Sequence, residues 1–190
     1  MSRILILFGT TDGQTAKIAH FLGDVLGSRG ADIDVIEAGT APADPAEFDA
    51  VIVAASVHAG GYQRAVVRWA RAHAQALREM PAAFLSVCLG VLQKDERVRR
   101  DLDGIQARFE ATTGWRPPRF KLVAGALKYT RYGLFRRMVM RHIAGRAGGS
   151  TDVSRDHEYT DWADLRAFGD SFYDAFCADT AIQERLAGVR

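Results

Sequence analysis

The sequence lacks the features that mark secreted and membrane-spanning proteins. Its longest apolar runs, at residues 51–57 and 84–92, are far shorter than the roughly 20 residues that cross a bilayer, and the chain opens directly on a strand-like run. Cysteine is scarce, and Cys88 and Cys177 show no Cys-x-x-Cys spacing. Neither a disulfide framework nor a metal site is therefore predicted. We expect a cytoplasmic protein with two reduced thiols.

Acidic residues are absent from one long stretch, residues 115–151, although the whole chain carries a net charge of only +2. The basic residues of this stretch are Arg116, Arg119, Lys121, Lys128, Arg131, Arg136, Arg137, Arg141 and Arg146. Such an asymmetry indicates an anionic partner or surface. Because Leu, Met, Val and Ile are interleaved with the arginines, the pattern favours a lipid or protein surface over nucleic acid.

The remaining composition fits one domain over residues 1–190, since 48% of the residues are hydrophobic. Strand-like apolar runs alternate with amphipathic helical stretches. The predicted strands are at residues 4–9, 33–36, 48–55, 82–89 and 120–127, and the predicted helices at residues 16–26, 63–78, 93–113 and 163–176. Continuous apolar runs are typical of parallel strands that are covered on both faces. The pattern predicts a doubly wound α/β fold.

The turn after the first strand is rich in hydroxyl groups. Thr10, Thr11 and Thr15 lie where a helix N-terminus is predicted, and the unpaired N–H groups of a first helical turn bind anions. Only Gly9 and Gly13 are present, with no lysine before residue 17, so neither a Walker loop nor a dinucleotide fingerprint fits. The alternative is a simple helix cap that binds nothing.

This turn resembles the flavodoxin phosphate loop, Thr/Ser-x-Thr-Gly-x-Thr. Thr10, Gly13, Gln14 and Thr15 match it, and Asp12 stands where threonine is usual. The resemblance implies a flavodoxin-like fold with a five-stranded parallel sheet of order 2-1-3-4-5, helices on both faces, and bound FMN. The residues expected at the FMN phosphate are Thr10, Thr11, Asp12, Gly13, Gln14 and Thr15.

Two further loops follow predicted strands. In a sheet of order 2-1-3-4-5, ligands bind outside the carboxyl ends of strands 1 and 3. The loop after strand 3 contributes Ser56, Val57, His58, Gly60, Gly61 and Tyr62, and the loop after strand 4 contributes Cys88, Leu89 and Gly90. We expect these residues to face the flavin, with Tyr62 stacked on the ring. A histidine in such a loop, like His58, is more often a solvent-exposed residue than a catalytic acid, and no catalytic acid or base is identified.

A basic insertion at about residues 128–157 precedes the last helix. Residues 129–144 place apolar side chains on one side and Arg136, Arg137 and Arg141 on the other. Such a helix can lie in a membrane interface, or it can pack its apolar side on the sheet and leave the arginines solvated.

Motifs along almost the whole chain resemble the menaquinone-dependent protoporphyrinogen IX dehydrogenases. They lie at residues 6–15, 55–62, 80–87, 115–117, 123–132, 148–152 and 159–162. The Asp-Gly-Gln-Thr form of the first loop, at residues 12–15, belongs to this family's pattern. The motifs from residue 115 onwards distinguish this family from flavodoxins in general.

The resemblance implies an FMN-dependent oxidation of protoporphyrinogen IX to protoporphyrin IX in haem biosynthesis, with electrons passed to a membrane quinone. Contacts of the basic segment with substrate propionates or lipid headgroups are expected from Arg131, Arg136, Arg137 and Arg141. The protein would then lie peripherally on the inner face of the cell membrane. The alternatives are a flavodoxin-type electron carrier and an FMN-dependent NAD(P)H quinone reductase.

Overall fold

The computed structural model describes residues 2–127 and 156–187, and the side chains of residues 2–126 and 156–176. A parallel sheet contains β1 (Arg3–Gly9), β2 (Asp32–Glu37), β3 (Ala50–Ser56), β4 (Ala82–Cys88) and β5 (Arg119–Ala124). The helices are α1 (Gln14–Ser28), α2 (Arg64–Ala72), α3 (Ala74–Glu79), α4 (Glu96–Thr113) and α5 (Trp162–Ala187). The strand order is β2-β1-β3-β4-β5, as predicted.

The central strands are buried on both faces because helices cover both sides of the sheet. Ile4 and Ile6 of β1 pack into one core with Ile18 and Leu22 of α1 and with apolar residues of α5. The alternate residues of β1 pack into a second core with residues of α2, α3 and α4. This arrangement explains why β1, β3 and β4 appear in the sequence as continuous apolar runs.

The register of the sheet places the carboxyl ends of four strands side by side. Gly9 pairs with Ala55, Ser56 pairs with Val87, and Cys88 pairs with Ala124. The loops that follow β1, β3 and β4 therefore leave the sheet at the same edge. This is the edge at which open parallel sheets bind ligands.

Two predicted elements differ from the structure. The helix expected at residues 63–78 is divided into α2 and α3 at His73, whose backbone (φ −110°, ψ 17°) is not helical. The fifth strand ends at Ala124 instead of residue 127. After it, β6 (Ala126–Leu127) pairs antiparallel with β7 (His157–Glu158), so the chain leaves the main sheet near Gly125.

The last helix begins where the sequence predicts it. The Asp161 carboxylate accepts a hydrogen bond of 3.0 Å from the Asp164 N–H, which is a typical N-terminal cap. The helix is longer than the predicted 163–176. Most of the predicted insertion, residues 128–155, lies outside the described residues. Within the described ranges, no helix is long and apolar enough to cross a membrane.

A stability test follows from Trp115, which is fully buried against Phe84 and Phe109 while its indole N–H has no acceptor among the described residues. We expect Trp115→Ala to lower the free energy of unfolding by about 3–5 kcal/mol. Trp115→Phe keeps an aromatic ring and removes the unpaired donor, so we expect a loss of about 1 kcal/mol. Denaturant unfolding of the two variants measures the difference, and equal losses would contradict this account.

Candidate functional site

A cavity of about 310 Å³ opens at the carboxyl ends of β1, β3 and β4. Pockets for cofactors and other small molecules start at roughly this volume. Eleven of the fifteen residues predicted at the cofactor line it, namely Thr10, Thr11, Asp12, Gln14, Thr15, Ser56, Val57, His58, Cys88, Leu89 and Gly90. The sequence analysis missed Val87, Gln93, Leu102, Gly125 and Ala126, which complete the wall.

Residues 10–15, the anion cradle, are shaped by a left-handed glycine. Gly13 has φ 87°, a conformation that favours glycine, and its N–H donates to Thr10 Oγ1 at 2.9 Å. Gly13 is also the N-cap residue of α1, and the cap makes no side-chain hydrogen bond. The N-cap position of α1 is therefore occupied by a residue that has no side chain to accept a hydrogen bond.

The polar groups of the cradle fit a phosphate. Thr15 is 1% exposed and lines the cavity, and its hydroxyl has no hydrogen-bond partner among the described residues. A buried hydroxyl without a partner is costly, so a ligand oxygen at this position would be stabilised. None of the described lining residues is lysine or arginine. An anion bound in this cradle would therefore contact hydroxyls and backbone N–H groups at the positive end of the α1 dipole.

Gln63 joins the cradle to the loop after β3. Its Nε2 donates to Thr11 Oγ1 at 3.1 Å and to Ser56 Oγ at 2.5 Å. α2 lies so close to β1 that a Cβ at Gly9 would be 2.5 Å from a Val66 methyl group. The sequence analysis missed Gln63. The one sequence feature that could have identified Gln63 is its position between the loop after β3 and α2.

The loop after β3 contains a tight turn. His58 and Gly61 exchange backbone hydrogen bonds of 2.8 and 3.1 Å, and Ala59 (φ 48°) and Gly60 (φ 79°) between them are left-handed. Arg108 of α4 donates to the Gly60 carbonyl at 3.0 Å. His58 faces the cavity, whereas Gly60 and Gly61 are not among its lining residues. Arg108 therefore fixes a turn that shapes the site from outside.

Tyr62 differs from its predicted role. Its ring packs against Phe84 and Phe109, with centroids 4.9 and 5.4 Å apart, and is not part of the cavity wall. The hydroxyl donates to Ser86 Oγ at 3.0 Å. Burial raises the pKa of Tyr62 to about 12. In the structure this ring belongs to the second core and is not positioned to stack on a ligand.

The third wall is formed by Cys88, Leu89 and Gly90. Cys88 is half-buried and has no disulfide partner among the described residues. Burial raises the pKa of its thiol, although hydrogen bonds from the backbone of Val91 and Gly90 oppose the shift. At neutral pH the wall therefore presents a neutral thiol. The side chain of Cys177 lies outside the described set.

Comparison with known proteins shows the family to which the chain belongs. The model of the flavodoxin domain matches residues 5–154. Protoporphyrinogen IX dehydrogenase [quinone] of Escherichia coli (strain K12) is 36% identical over 87% of this chain and 92% of its own. The chain belongs to the protoporphyrinogen IX dehydrogenase family of flavodoxin domains. The Leishmania major protein with the same name is 31% identical over 90% of this chain and 74% of its own.

Solved structures confirm the fold expected for this family. Flavodoxin 1 from Bacillus cereus aligns with a TM-score of 0.52 at 14% identity, over 91% of this chain and 98% of its own. Rubredoxin oxygen:oxidoreductase from Desulfovibrio gigas aligns with a TM-score of 0.52 at 12% identity, over 94% of this chain and 37% of its own. The predicted flavodoxin-like fold is therefore correct.

Some predicted contacts of the protoporphyrinogen IX dehydrogenase family cannot be placed in the site. Arg131, Arg136, Arg137 and Arg141, expected at propionates or lipid, lie outside the described residues. In the described part of the chain, no group of three or more His, Cys, Asp or Glu side chains is arranged to hold a metal ion.

The buried phenol of Tyr62 makes stability depend on pH in alkali. In the folded state the phenol of Tyr62 has a pKa of about 12, whereas in the unfolded state it ionises near its ordinary pKa of 10. Stability is therefore present in full below pH 10 and is lost as the pH rises towards 12. We expect the wild type to lose on the order of 2 kcal/mol more than Tyr62→Phe across this window. Urea unfolding at several pH values measures it, and parallel curves would refute the assignment.

Proposed function

We propose that this chain is an FMN-dependent protoporphyrinogen IX dehydrogenase that passes electrons from its substrate to a quinone. The observation that carries this proposal is the buried hydroxyl of Thr15 at the start of α1, which has no hydrogen-bond partner among the described residues, in a cradle whose described lining contains no lysine or arginine. It occurs in a chain that is 36% identical to the Escherichia coli enzyme over 87% of its length. The proposal includes a single domain over residues 1–190 with a basic insertion at about residues 128–157.

The cavity residues divide into two groups in this proposal. Thr10, Thr15 and the N–H groups at the start of α1 hold the phosphate of FMN. The cavity-lining residues 56–58 and 88–90 would hold the isoalloxazine. When bound, FMN supplies the redox chemistry, accepting two electrons in each of three rounds. The protein's part is to bind the ring, orient it and exclude water from one side.

The basic segment recognises the substrate and the membrane. Protoporphyrinogen carries two propionates, and arginine is well suited to bind carboxylates with two parallel hydrogen bonds. The acid-free composition of residues 115–151 supports this role. A lipid-soluble quinone requires access to the membrane surface, and interleaved apolar and arginine residues are typical of segments that lie there. We propose that Arg131, Arg136, Arg137 and Arg141 make these contacts.

The two alternatives receive less support. A flavodoxin-type carrier and an NAD(P)H quinone reductase share the fold and the cofactor. The Escherichia coli and Leishmania major relatives, which match over most of the chain, are both named protoporphyrinogen IX dehydrogenase. Carriers that dock on basic partners carry excess acid, whereas this chain has a net charge of +2. The dehydrogenase is therefore the better supported function.

The first test replaces the left-handed glycine of the cradle. We expect Gly13→Val to abolish FMN retention, because a β-branched residue at φ 87° must distort the turn that holds the phosphate. The matched control is Gly30→Val, at φ 94° just beyond the other end of α1, with open space around its Cβ. Flavin absorbance of the purified variants measures retention. A yellow Gly13→Val protein would show that this turn does not bind FMN.

The second test addresses the substrate. Anaerobic addition of protoporphyrinogen IX to the FMN-loaded protein should bleach the flavin absorbance, and a quinone added afterwards should restore it. The control is NAD(P)H, which should leave the absorbance unchanged. Bleaching by NAD(P)H alone would favour the quinone reductase. If neither compound bleaches the flavin, the electron carrier is the remaining function of the three.

A further inference from the structure

A buried threonine from the far end of the chain reaches the start of α1. Thr160 is 8% exposed and lies just before α5. Its Oγ1 is 2.7 Å from the carbonyl oxygen of Ala124, at the end of β5, and 3.0 Å from Nε2 of Gln14, the first residue of α1. Three distant segments therefore meet at one hydroxyl group.

The chemistry of these groups fixes the direction of each hydrogen bond. The Ala124 carbonyl can only accept, so the single hydroxyl proton of Thr160 is donated to it. The Thr160 oxygen can then only accept from Gln14, and the Gln14 side chain must present its NH₂ group. The Gln14 side chain also forms a hydrogen bond with the carboxylate of Glu158. The orientation of the amide is thus set by two acceptors.

A restraint on the Gln14 side chain also restrains the anion cradle, because Gln14 belongs to it. Gln14 is 5% exposed and lines the cavity, and Thr15 with its unpartnered hydroxyl is the next residue. A rotation of the first turn of α1 would move the Thr15 hydroxyl and the N–H groups that face a bound phosphate. The hydrogen bond from Gln14 to Thr160 opposes that rotation because it is buried and its geometry is defined.

A second link between the same segments is weaker. Lys17 Nζ lies 2.7 and 3.0 Å from the two carboxylate oxygens of Glu158 and 4.8 Å from the centroid of the Trp162 ring. The side chains of Lys17 and Glu158 are 55% and 33% exposed. Exposed ion pairs contribute only about 0–1 kcal/mol. The buried bond through Thr160 is therefore the main restraint.

We propose that Thr160 is a positioning residue for the phosphate of FMN, acting through Gln14 on the first turn of α1. This inference rests on the proposed function, because it requires FMN in the cavity. It makes Thr160 a determinant of specificity. The residue distinguishes phosphorylated from unphosphorylated flavin although it does not line the cavity itself.

The test compares FMN with riboflavin, which lacks the phosphate. Thr160→Val keeps the shape of the side chain and removes both hydrogen bonds. We expect the dissociation constant for FMN to rise about tenfold, equivalent to about 1.4 kcal/mol, and that for riboflavin to stay unchanged. Thr160→Ser keeps the hydroxyl and should bind FMN like the wild type. Titration of the full chain, followed by quenching of flavin fluorescence, gives both constants.

The matched control is Thr113→Val. Thr113 is also buried but does not line the cavity. Its hydroxyl donates to the Phe109 carbonyl at 2.8 Å and accepts from the backbone N–H of Trp115 at 3.2 Å. We expect this variant to lose stability and to keep the wild-type ratio of the two dissociation constants. If Thr160→Val does not fold, Gln14→Met removes the same hydrogen bond from the other side and should weaken FMN binding selectively.

The possible results separate the two proposals. Equal weakening of FMN and riboflavin binding by Thr160→Val would show a merely structural role and overturn the inference, as would unchanged binding of FMN. Either result leaves the proposed function intact, because the wild type still binds FMN. A wild-type chain that binds neither flavin would overturn the inference together with the proposed function.

Discussion

The alignment of parallel strand ends is the constraint on which the rest of the structure depends. Because β1, β3 and β4 run side by side in register and end together, three loops that are distant in sequence surround one cavity. Parallel strands need helical crossovers, and the crossover after β1 supplies the helix whose N-terminus faces that cavity. The cofactor site is thus a consequence of the sheet topology and of the burial that stabilises it.

The described wall of the cavity contains hydroxyl and amide groups but no lysine or arginine. In the described part of the wall, the one formally charged side chain is that of Asp12, and Lys17 of α1 is paired with Glu158. Partial burial raises the pKa of Glu158, but the hydrogen bonds from Lys17 and Gln14 outweigh it and the net pKa is lowered. Glu158 therefore remains ionised and neutralises Lys17. Binding of a phosphate then depends on oriented dipoles, whose strength requires accurate positions.

This dependence gives the supporting residues their importance. Gln63 holds two hydroxyl-bearing loops together, Arg108 holds the turn at Gly60, and Thr160 holds Gln14. Each acts through a hydrogen bond to a loop that lines the cavity. A network of this kind stabilises a single arrangement of the site because loss of one partner leaves a buried polar group unsatisfied.

Local sequence patterns predicted most of the strands and helices and most of the cavity wall, because these depend on features within a few residues, whereas the strand order was implied by the resemblance to flavodoxins. Continuous apolar runs identified the central strands β1, β3 and β4, and the turn at residues 10–15 was predicted to bind a ligand and lines the cavity. The orientation of Tyr62 and the partner of Thr160 could not be predicted from local patterns. A loop tyrosine can face a ligand or the core, and only the positions of Phe84 and Phe109 decide between them. The partner of Thr160 is 146 residues away along the chain, and no local pattern encodes such a contact.

The antiparallel pairing of β6 with β7 sets how much a change in the length of the connection between them would cost. Leu127 lies opposite His157, so the residues between them begin and end as neighbours. The entropy of closing a loop rises only slowly with its length. A change in the length of the connection between β6 and β7 therefore costs little closure entropy, and the antiparallel pair keeps the two ends of that connection beside each other.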